Sequence, residues 1–432
     1  MFILISIFIF IFLIIWSIKE YKKYGISLTF MTIIWSIVIY VLAPLALVTS
    51  YYEVASPRFL RNYYDIESIF PLFVIIIFFI SMFFGSIFFD KVDFKFKLEA
   101  SHNLIRKTAI FLFTIGFGSL LFFIYTYGGL DYVLSNMSQI RSGTDDNKNY
   151  LAAFVSSFSK YMNLSFFIML SFWMINKKIS NFDYFLFFIF ALLTLFSIYL
   201  SAGREAGIAF LISILVIYLA VYKKIPALTV AIFSIFSFMY ILFGKTFLFA
   251  LNNENFDKDD FIDNNFLSTI SNSYNIIVSE FSHQYLSLVN FMQYDYSFRF
   301  FGDYAYWLFK PFKLLGFNIP DSISYYNTFI VHGVWDSEIP PGGIAYGYIQ
   351  FGILGVIIHG FILGCFFKFF DVVFDPKNQK NPILLGFYAV LVTSFTYMLS
   401  NSDPALFLQN RIPNIIFLLA LLFVFNTKLV RK

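Results

Sequence analysis

Apolar runs long enough to cross a bilayer recur from one end of the chain to the other, and this feature leaves few folds open. A bilayer core of about 30 Å is crossed by roughly 20 helical residues. No water is available there to satisfy backbone N–H and C=O groups, so each crossing run must close its own hydrogen bonds as a helix. The runs are 2–18, 28–48, 69–89, 109–125, 156–175, 185–200, 206–221, 227–243, 344–367, 383–399 and 405–425. The expected fold is all-α, a polytopic transmembrane helix bundle of about 11 spans, or 12 if one more hides in the longest polar stretch. Residues 1–243 would form the N-terminal membrane helices, 244–343 one large extracytoplasmic loop containing amphipathic helices, and 344–432 the C-terminal membrane helices.

Composition agrees with a surface that mostly faces lipid. Hydrophobic residues make up 59% of the chain and charged residues 13%, with 64 Phe among 432 residues. A soluble domain carries about 25% charged residues because water must wet its surface. The first run lacks a basic leader and a small-residue cleavage site, so it reads as a retained helix rather than a signal peptide. Cys365 is the single cysteine, so the long loop must fold without an internal disulfide.

More than half of the 30 basic residues sit in short clusters beside the apolar runs. These are Lys19, Lys22 and Lys23; Lys91, Lys95, Lys97, Arg106 and Lys107; Lys177 and Lys178; Lys223 and Lys224; Lys368, Lys377 and Lys380; and Lys428, Arg431 and Lys432. Under strict alternation of spans all of them fall on one side, which the positive-inside rule makes the cytoplasm. The N-terminus is then outside and the C-terminus inside. Clusters of this kind signal topology, not nucleic-acid binding.

The inward loops are too short for a nucleotide-binding domain and carry neither a Walker lysine loop nor a GxGxxG turn. No two histidines stand at metal-ligand spacing. Neither a cofactor nor a metal is therefore expected. The outward loop, rich in Asn, Asp, Ser and Tyr, becomes the natural place for function, because a loop of that length is rarely idle. Ile276, Ile277, Phe281, Tyr285, Leu288, Val289 and Met292 recur at helical spacing, which predicts a helix over 273–294 lying on the membrane domain. Residues 300–316 mix Tyr304, Tyr306 and Trp307 with Lys310 and Lys313, the pattern of an interfacial helix. HGVWDSEIPPGG, residues 332–343, predicts a sharp return into the membrane.

Three outward cations stand out for their depth. Arg204 lies in SAGREAG between two apolar runs, Arg411 lies within the outer part of the last run, and Lys160 lies just inside the fifth. Cations at membrane depth either snorkel to the headgroups or line a polar cavity with a partner. His359, inside the ninth run, is expected to hydrogen-bond a neighbouring helix rather than to relay protons. Tyr64, Asp65 and Glu67 form a short acidic patch that carries no assignment.

The hydropathy layout, SAGREAG at the head of a helix, the large outer loop and PPGGIAYGYIQFGILGVIIHGFILG over 340–364 together resemble oligosaccharide repeat-unit polymerases of the Wzy type. The likeness spans the whole chain in layout and two short stretches in residues. It implies a block-transfer glycosyltransferase that moves a growing glycan from one undecaprenyl-diphosphate carrier onto a repeat unit on another, at the outer face of the bacterial cytoplasmic membrane. It implies undecaprenyl-diphosphate-linked oligosaccharide and membrane lipids as partners, with a flippase upstream and a separate chain-length regulator. Arginines in two outer loops are implicated in that family. Arg204 matches the first by motif; Arg299, His332 and Arg411 are candidates for the second.

The residues suit that chemistry on their own terms. Transfer from a lipid diphosphate needs fixed positive charge where the diphosphate departs, a role assigned to Arg204 and Arg411. The acceptor hydroxyl needs a base, for which His332, Asp336 and Glu338 are the candidates, with His283, Glu280 and Glu205 behind them. Arg299, Lys160, Tyr304 and Trp335 are assigned to substrate binding. A ligase of finished glycan would use the same donor and a similar loop. A flippase or exporter of lipid-linked oligosaccharide would share the hydropathy, yet would need no such loop and would be expected to show internal repeats.

Overall fold

The computed structural model describes residues 1–49, 67–91, 94–142, 150–176, 180–201, 203–224, 235, 273–293, 296–309, 322–332, 339–424 and 428–431. Its helices are α1 (Phe2–Tyr24), α2 (Leu28–Thr49), α3 (Ile69–Asp90), α4 (His102–Thr126), α5 (Leu130–Ser142), α6 (Tyr150–Ser156), α7 (Lys160–Ile175), α8 (Asn181–Leu200) and α9 (Arg204–Tyr222). Then come α10 (Ser273–Gln293), α11 (Gly302–Phe309), α12 (Ile323–His332), α13 (Gly343–Phe374), α14 (Pro382–Asn401) and α15 (Pro404–Phe423). Two short strands, β1 (Phe94–Lys97) and β2 (Lys428–Arg431), pair antiparallel. The protein is an all-α polytopic helical bundle, with eight helices among the described residues long and apolar enough to cross a membrane. The expected run 227–243 lies outside the described residues except for residue 235, as does most of the loop before Ser273.

Capping residues start several helices where the apolar runs begin. Ser27, Ser101 and Ser180 accept hydrogen bonds from backbone N–H groups in the first turns of α2, α4 and α8, and Asn381 does the same for α14 with Pro382 at its first position. Large side chains such as Phe84, Phe111, Phe188 and Leu192 remain exposed, as expected of a lipid-facing belt. The tightest inter-helix packing joins α3 to α13, where Gly360 and Gly364 lie directly on the backbone of Phe78 and Met82. Small residues permit such close approach, and dispersion rather than hydrophobicity then holds the helices together.

The basic loops around Lys22, Lys95, Lys377 and Lys428 meet at one end of the bundle, whereas Lys177 and Lys178 lie outside the described residues. Lys23 pairs with Asp90 at 2.7 Å, joining the ends of α1 and α3. Lys377 donates to the carbonyl of Lys22, and Asn381 to that of Leu98. Arg106 grips Asp183 through two nitrogens, tying the start of α4 to the start of α8. Just inside this basic face, fully buried Lys368 reaches Glu20 at 2.6 Å and Asp90 at 3.3 Å. Asp371 accepts from the Leu28 and Thr29 backbone N–H groups and from the Tyr388 hydroxyl, fastening α13 to α2 and α14.

Three expectations need correction. The fifth run is not one helix: Ser157–Ser159 forms a 3-10 turn that makes Lys160 the first residue of α7. Ser156 and Ser157 donate back to the carbonyls of Ala153 and Phe154, the local competition by which serine disturbs a helix. The predicted loop helix exists as α10, but it is inserted rather than laid on the surface. Tyr285, Leu288 and Phe291 are fully buried, and Phe281 meets Trp35 edge-on at 5.4 Å.

The largest correction concerns α13, expected as a single crossing. Phe351 (φ −160°) and Gly352 (φ 61°) leave the helical region and reverse the chain. Gly347 of the first limb, 343–350, lies against Gly355 and Val356 of the second, 353–374, and the Tyr346 ring stands 4.9 Å from that of His359. In a continuous helix, residues 347 and 355 would be about 12 Å apart. The second limb ends at the basic face, so the tip at Gly352 lies at the opposite face and the first limb begins inside the bundle. Phe298, Phe300 and Phe351 form a partly exposed aromatic cluster at that tip, suited to a membrane interface.

Candidate active site opposite the basic face

Two polar clusters lie toward the face remote from the basic loops, and α15 lies alongside both. The first surrounds Arg411, 9% exposed. Its Nη2 is 3.1 Å from Glu205 Oε1, its guanidinium lies over the Tyr397 ring, and its buried Nε has no hydrogen-bond partner among the described residues. Lys160 Nζ donates to the carbonyl of Asn410 at 2.8 Å, one residue away, and the Tyr161 hydroxyl donates to that of Pro413. Lys160 and Arg411 are near enough to repel each other. Glu205, itself half exposed, is the one carboxylate paired with Arg411 among the described residues. Two basic side chains therefore share one carboxylate here.

Glu205 stands in the first turn of α9, whose cap residue, Gly203, has no side chain to accept the first backbone N–H groups. Those groups and the positive end of the helix dipole face the same region as Arg411. Arg204 is the first residue of α9, and its side chain lies outside the described residues.

The second cluster holds the hairpin of α13 in place. Arg299 grips Asp303 through Nε and Nη2, and Gln350 donates to Asp303 at 2.7 Å. The backbone N–H groups of Arg299 and Phe300 donate to the carbonyls of Ile349 and Gln350, and that of Phe301 to the Gln350 side chain. These bonds satisfy carbonyls that the end of the first limb leaves without helical partners. They hold Phe300 and Phe301 at φ 49° and 57°, a region non-glycine residues seldom occupy. Arg299 also lies over Tyr326. Tyr304 meets Tyr346 edge-on at 6.2 Å, and burial pushes its phenol up to about 12. Tyr346, fully buried, has a hydroxyl with no hydrogen-bond partner among the described residues.

A third set of contacts anchors the return into the bundle. Asp403 accepts from the backbone N–H and hydroxyl of Ser324 at the start of α12. Asn327 and Thr328 of α12 hold the carbonyl and N–H of Ile339, and the Tyr40 hydroxyl, on a π turn of α2, accepts from Ile344 N. A π turn inside a helix re-aims side chains and recurs at functional sites.

The sequence-assigned residues thus separate. Lys160 and Arg411 meet, with Glu205 between α9 and α15, whereas Arg299 and Tyr304 belong to the hairpin cluster. Asp403 and Arg411 are separated by about 12 Å of helix rise. His332 is the last residue of α12 with its side chain outside the described residues, where Trp335, Asp336, Glu338, Lys310 and Lys313 also lie. His359 departs from expectation: among the described residues neither ring nitrogen has a hydrogen-bond partner, and the ring packs against Phe78 and Tyr346. Asp303, Gln350 and Tyr346 were not singled out from the sequence. The four-residue spacing of Arg299 and Asp303 was no guide, because Phe300 and Phe301 leave the helical region between them and the helix begins only at Gly302. Gln350 and Tyr346 were hidden by reading their segment as a membrane span. Comparison of the chain with protein family models, with characterised proteins and with solved structures found no match.

Proposed function

We propose that this protein is a metal-independent glycosyltransferase of the Wzy type. It polymerises undecaprenyl-diphosphate-linked oligosaccharide repeat units into a surface polysaccharide at the outer face of the bacterial cytoplasmic membrane. In this reading the basic face is cytoplasmic, the N-terminus lies outside and the C-terminus inside. The observation that carries the proposal is the unbalanced pair Arg411 and Lys160 beside the uncapped start of α9, against the single carboxylate of Glu205. A diphosphate lying there meets two basic side chains, the Arg204 position and the first-turn backbone N–H groups of α9, the arrangement that stabilises a departing anion.

The reaction breaks the bond between the sugar's anomeric carbon and the diphosphate oxygen. A hydroxyl of the incoming repeat unit forms the new glycosidic bond and gives up its proton to a base. His332, Asp336 and Glu338, which precede the return segment at Ile339, are the residues proposed for that base. The glycan lies along the loop, against Tyr304, Trp335 and Arg299.

The test is polymer formation by purified protein in liposomes supplied with lipid-linked repeat units. Arg204→Ala and Arg411→Ala are expected to be nearly inactive and Arg204→Lys partly active, because Lys keeps the charge and loses the two-pronged contact. All should insert normally. Wild-type polymer yield from both alanine variants would refute the assignment. In a deletion strain, single repeat units on the final acceptor mark a lost polymerase, whereas finished polymer retained on the carrier marks a lost ligase.

A further inference from the structure

Arg411 stands two residues before Pro413, which lies inside α15. Proline has no N–H to give the carbonyl four residues earlier and its ring crowds that carbonyl, so the hydrogen-bond ladder opens and the helix bends. The direction of an arginine beside such a break depends on what holds the two sides of it. Here the start of α7 holds both. Lys160 Nζ donates to the carbonyl of Asn410, one residue before Arg411, and the Tyr161 hydroxyl donates to that of Pro413, two residues after it, each at 2.8 Å. The 3-10 turn at Ser157–Ser159 packs on α15 and delivers the two side chains to it. Asn414, just beyond the break, donates to Ser394 of α14.

The two α7 contacts differ in what they leave over. An ammonium carries three protons, so Lys160 holds Asn410 and still faces an anion. A phenol carries one, and that of Tyr161 is committed to Pro413. The Tyr161 side chain is also buried, 4% exposed, with its ring edge-on to Phe158. It has no proton to offer a ligand, and its oxygen lone pairs would repel an anion. Its place on the break, beside an arginine already fixed by Glu205 of α9 and the Tyr397 ring of α14, is that of a strut.

We propose that Tyr161 is a positioning residue for Arg411: through the Pro413 carbonyl it holds α15 at its proline break and so sets how the guanidinium meets a diphosphate. The inference rests on the reading of the Arg411 cluster as a diphosphate site and adds to it a residue that touches no ligand. Misplacing a charged group by a fraction of its reach weakens a two-phosphate grip more than a one-phosphate grip, because the second contact is the first to be lost.

The test is binding of farnesyl diphosphate and farnesyl monophosphate to the purified full-length protein, followed by titration calorimetry. Wild type should prefer the diphosphate, and Arg411→Ala should lose that preference. Tyr161→Phe keeps the ring and removes only the hydroxyl. Its Kd for the diphosphate should rise about ten-fold, the equivalent of one hydrogen bond, and its preference over the monophosphate should shrink. Pro413→Ala restores the missing N–H and closes the break, so it should shift the preference in the same direction, and it decides the matter if the phenylalanine variant fails to fold. No diphosphate binding by wild type would refute the reading of the cluster and this inference with it. If wild type binds, an unchanged Kd and preference in Tyr161→Phe overturns the positioning role alone. A smaller bound fraction at unchanged Kd, the mark of a merely structural residue, does the same, as does an unchanged preference in Pro413→Ala.

Discussion

Gly347 and Gly355 face each other across the reversal at Gly352, so close that a Cβ on Gly355 would collide with the Gly347 carbonyl oxygen. This contact converts an apolar segment that scans as one membrane crossing into a buried limb followed by a true span. Tyr346 and Gln350 thereby come to the face where Arg299 and Asp303 lie.

The hairpin is the first prediction. Gly355→Val must push the two limbs apart, and because the obstacle is backbone the strain cannot relax through a side chain. A loss of about 1–3 kcal/mol is expected, as in other overpacked cores, read as a lower melting temperature in detergent. Gly118→Ala, where nothing lies within 4 Å, should leave the melting temperature unchanged. Equal melting of wild-type and Gly355→Val proteins would show that the limbs do not pack this way.

Asp303 should matter to both stability and product. Asp303→Asn leaves the largely buried Arg299 without its carboxylate and weakens the grip on Gln350, which costs about 3 kcal/mol for a broken buried pair. Arg299→Met with Asp303→Asn should recover part of that stability, since no charge is then stranded. If Tyr304 and Arg299 guide the glycan, the double variant makes shorter polymer although it melts above the Asp303→Asn single variant, as seen by gel separation of product lengths.

At the basic face, Lys368→Met leaves buried Glu20 without its cation, whereas Asp90 keeps Lys23, and Glu20→Gln with Lys368→Met removes both partners of the buried pair. The single change should cost about 3–5 kcal/mol and the double change clearly less. Thermal unfolding followed by intrinsic fluorescence measures both. A double variant as unstable as the single one would mean that Lys368 acts through packing.

Orientation is open to direct measurement. A reporter fused after Gln379, at the basic face, is expected to read as cytoplasmic, and one after Asn264, beyond the described residues, as external. Finding both on one side of the membrane would overturn the span count and move the proposed transferase site.

The bundle itself was readable because its cause is local: a run of about 20 apolar residues must be helical in lipid whatever surrounds it. The shared end of the loops around Lys22, Lys95 and Lys377 was readable from their charge, since short basic loops collect on one membrane face. The helix at Ser273–Gln293 showed in its periodicity, and Arg411 and Lys160 showed as charges at improbable depth. What the tertiary structure alone decided is where segments of equal hydropathy go. Hydropathy cannot tell a buried limb from a lipid-facing span, so the reversal at Phe351 and Gly352 stayed invisible until Gly347 met Gly355. Nor can it say which cations share a partner. Arg299 with Asp303, Lys368 with Glu20, and the strands that bring Lys97 opposite Lys428 depend on contacts between elements far apart along the chain or on a turn only the fold imposes.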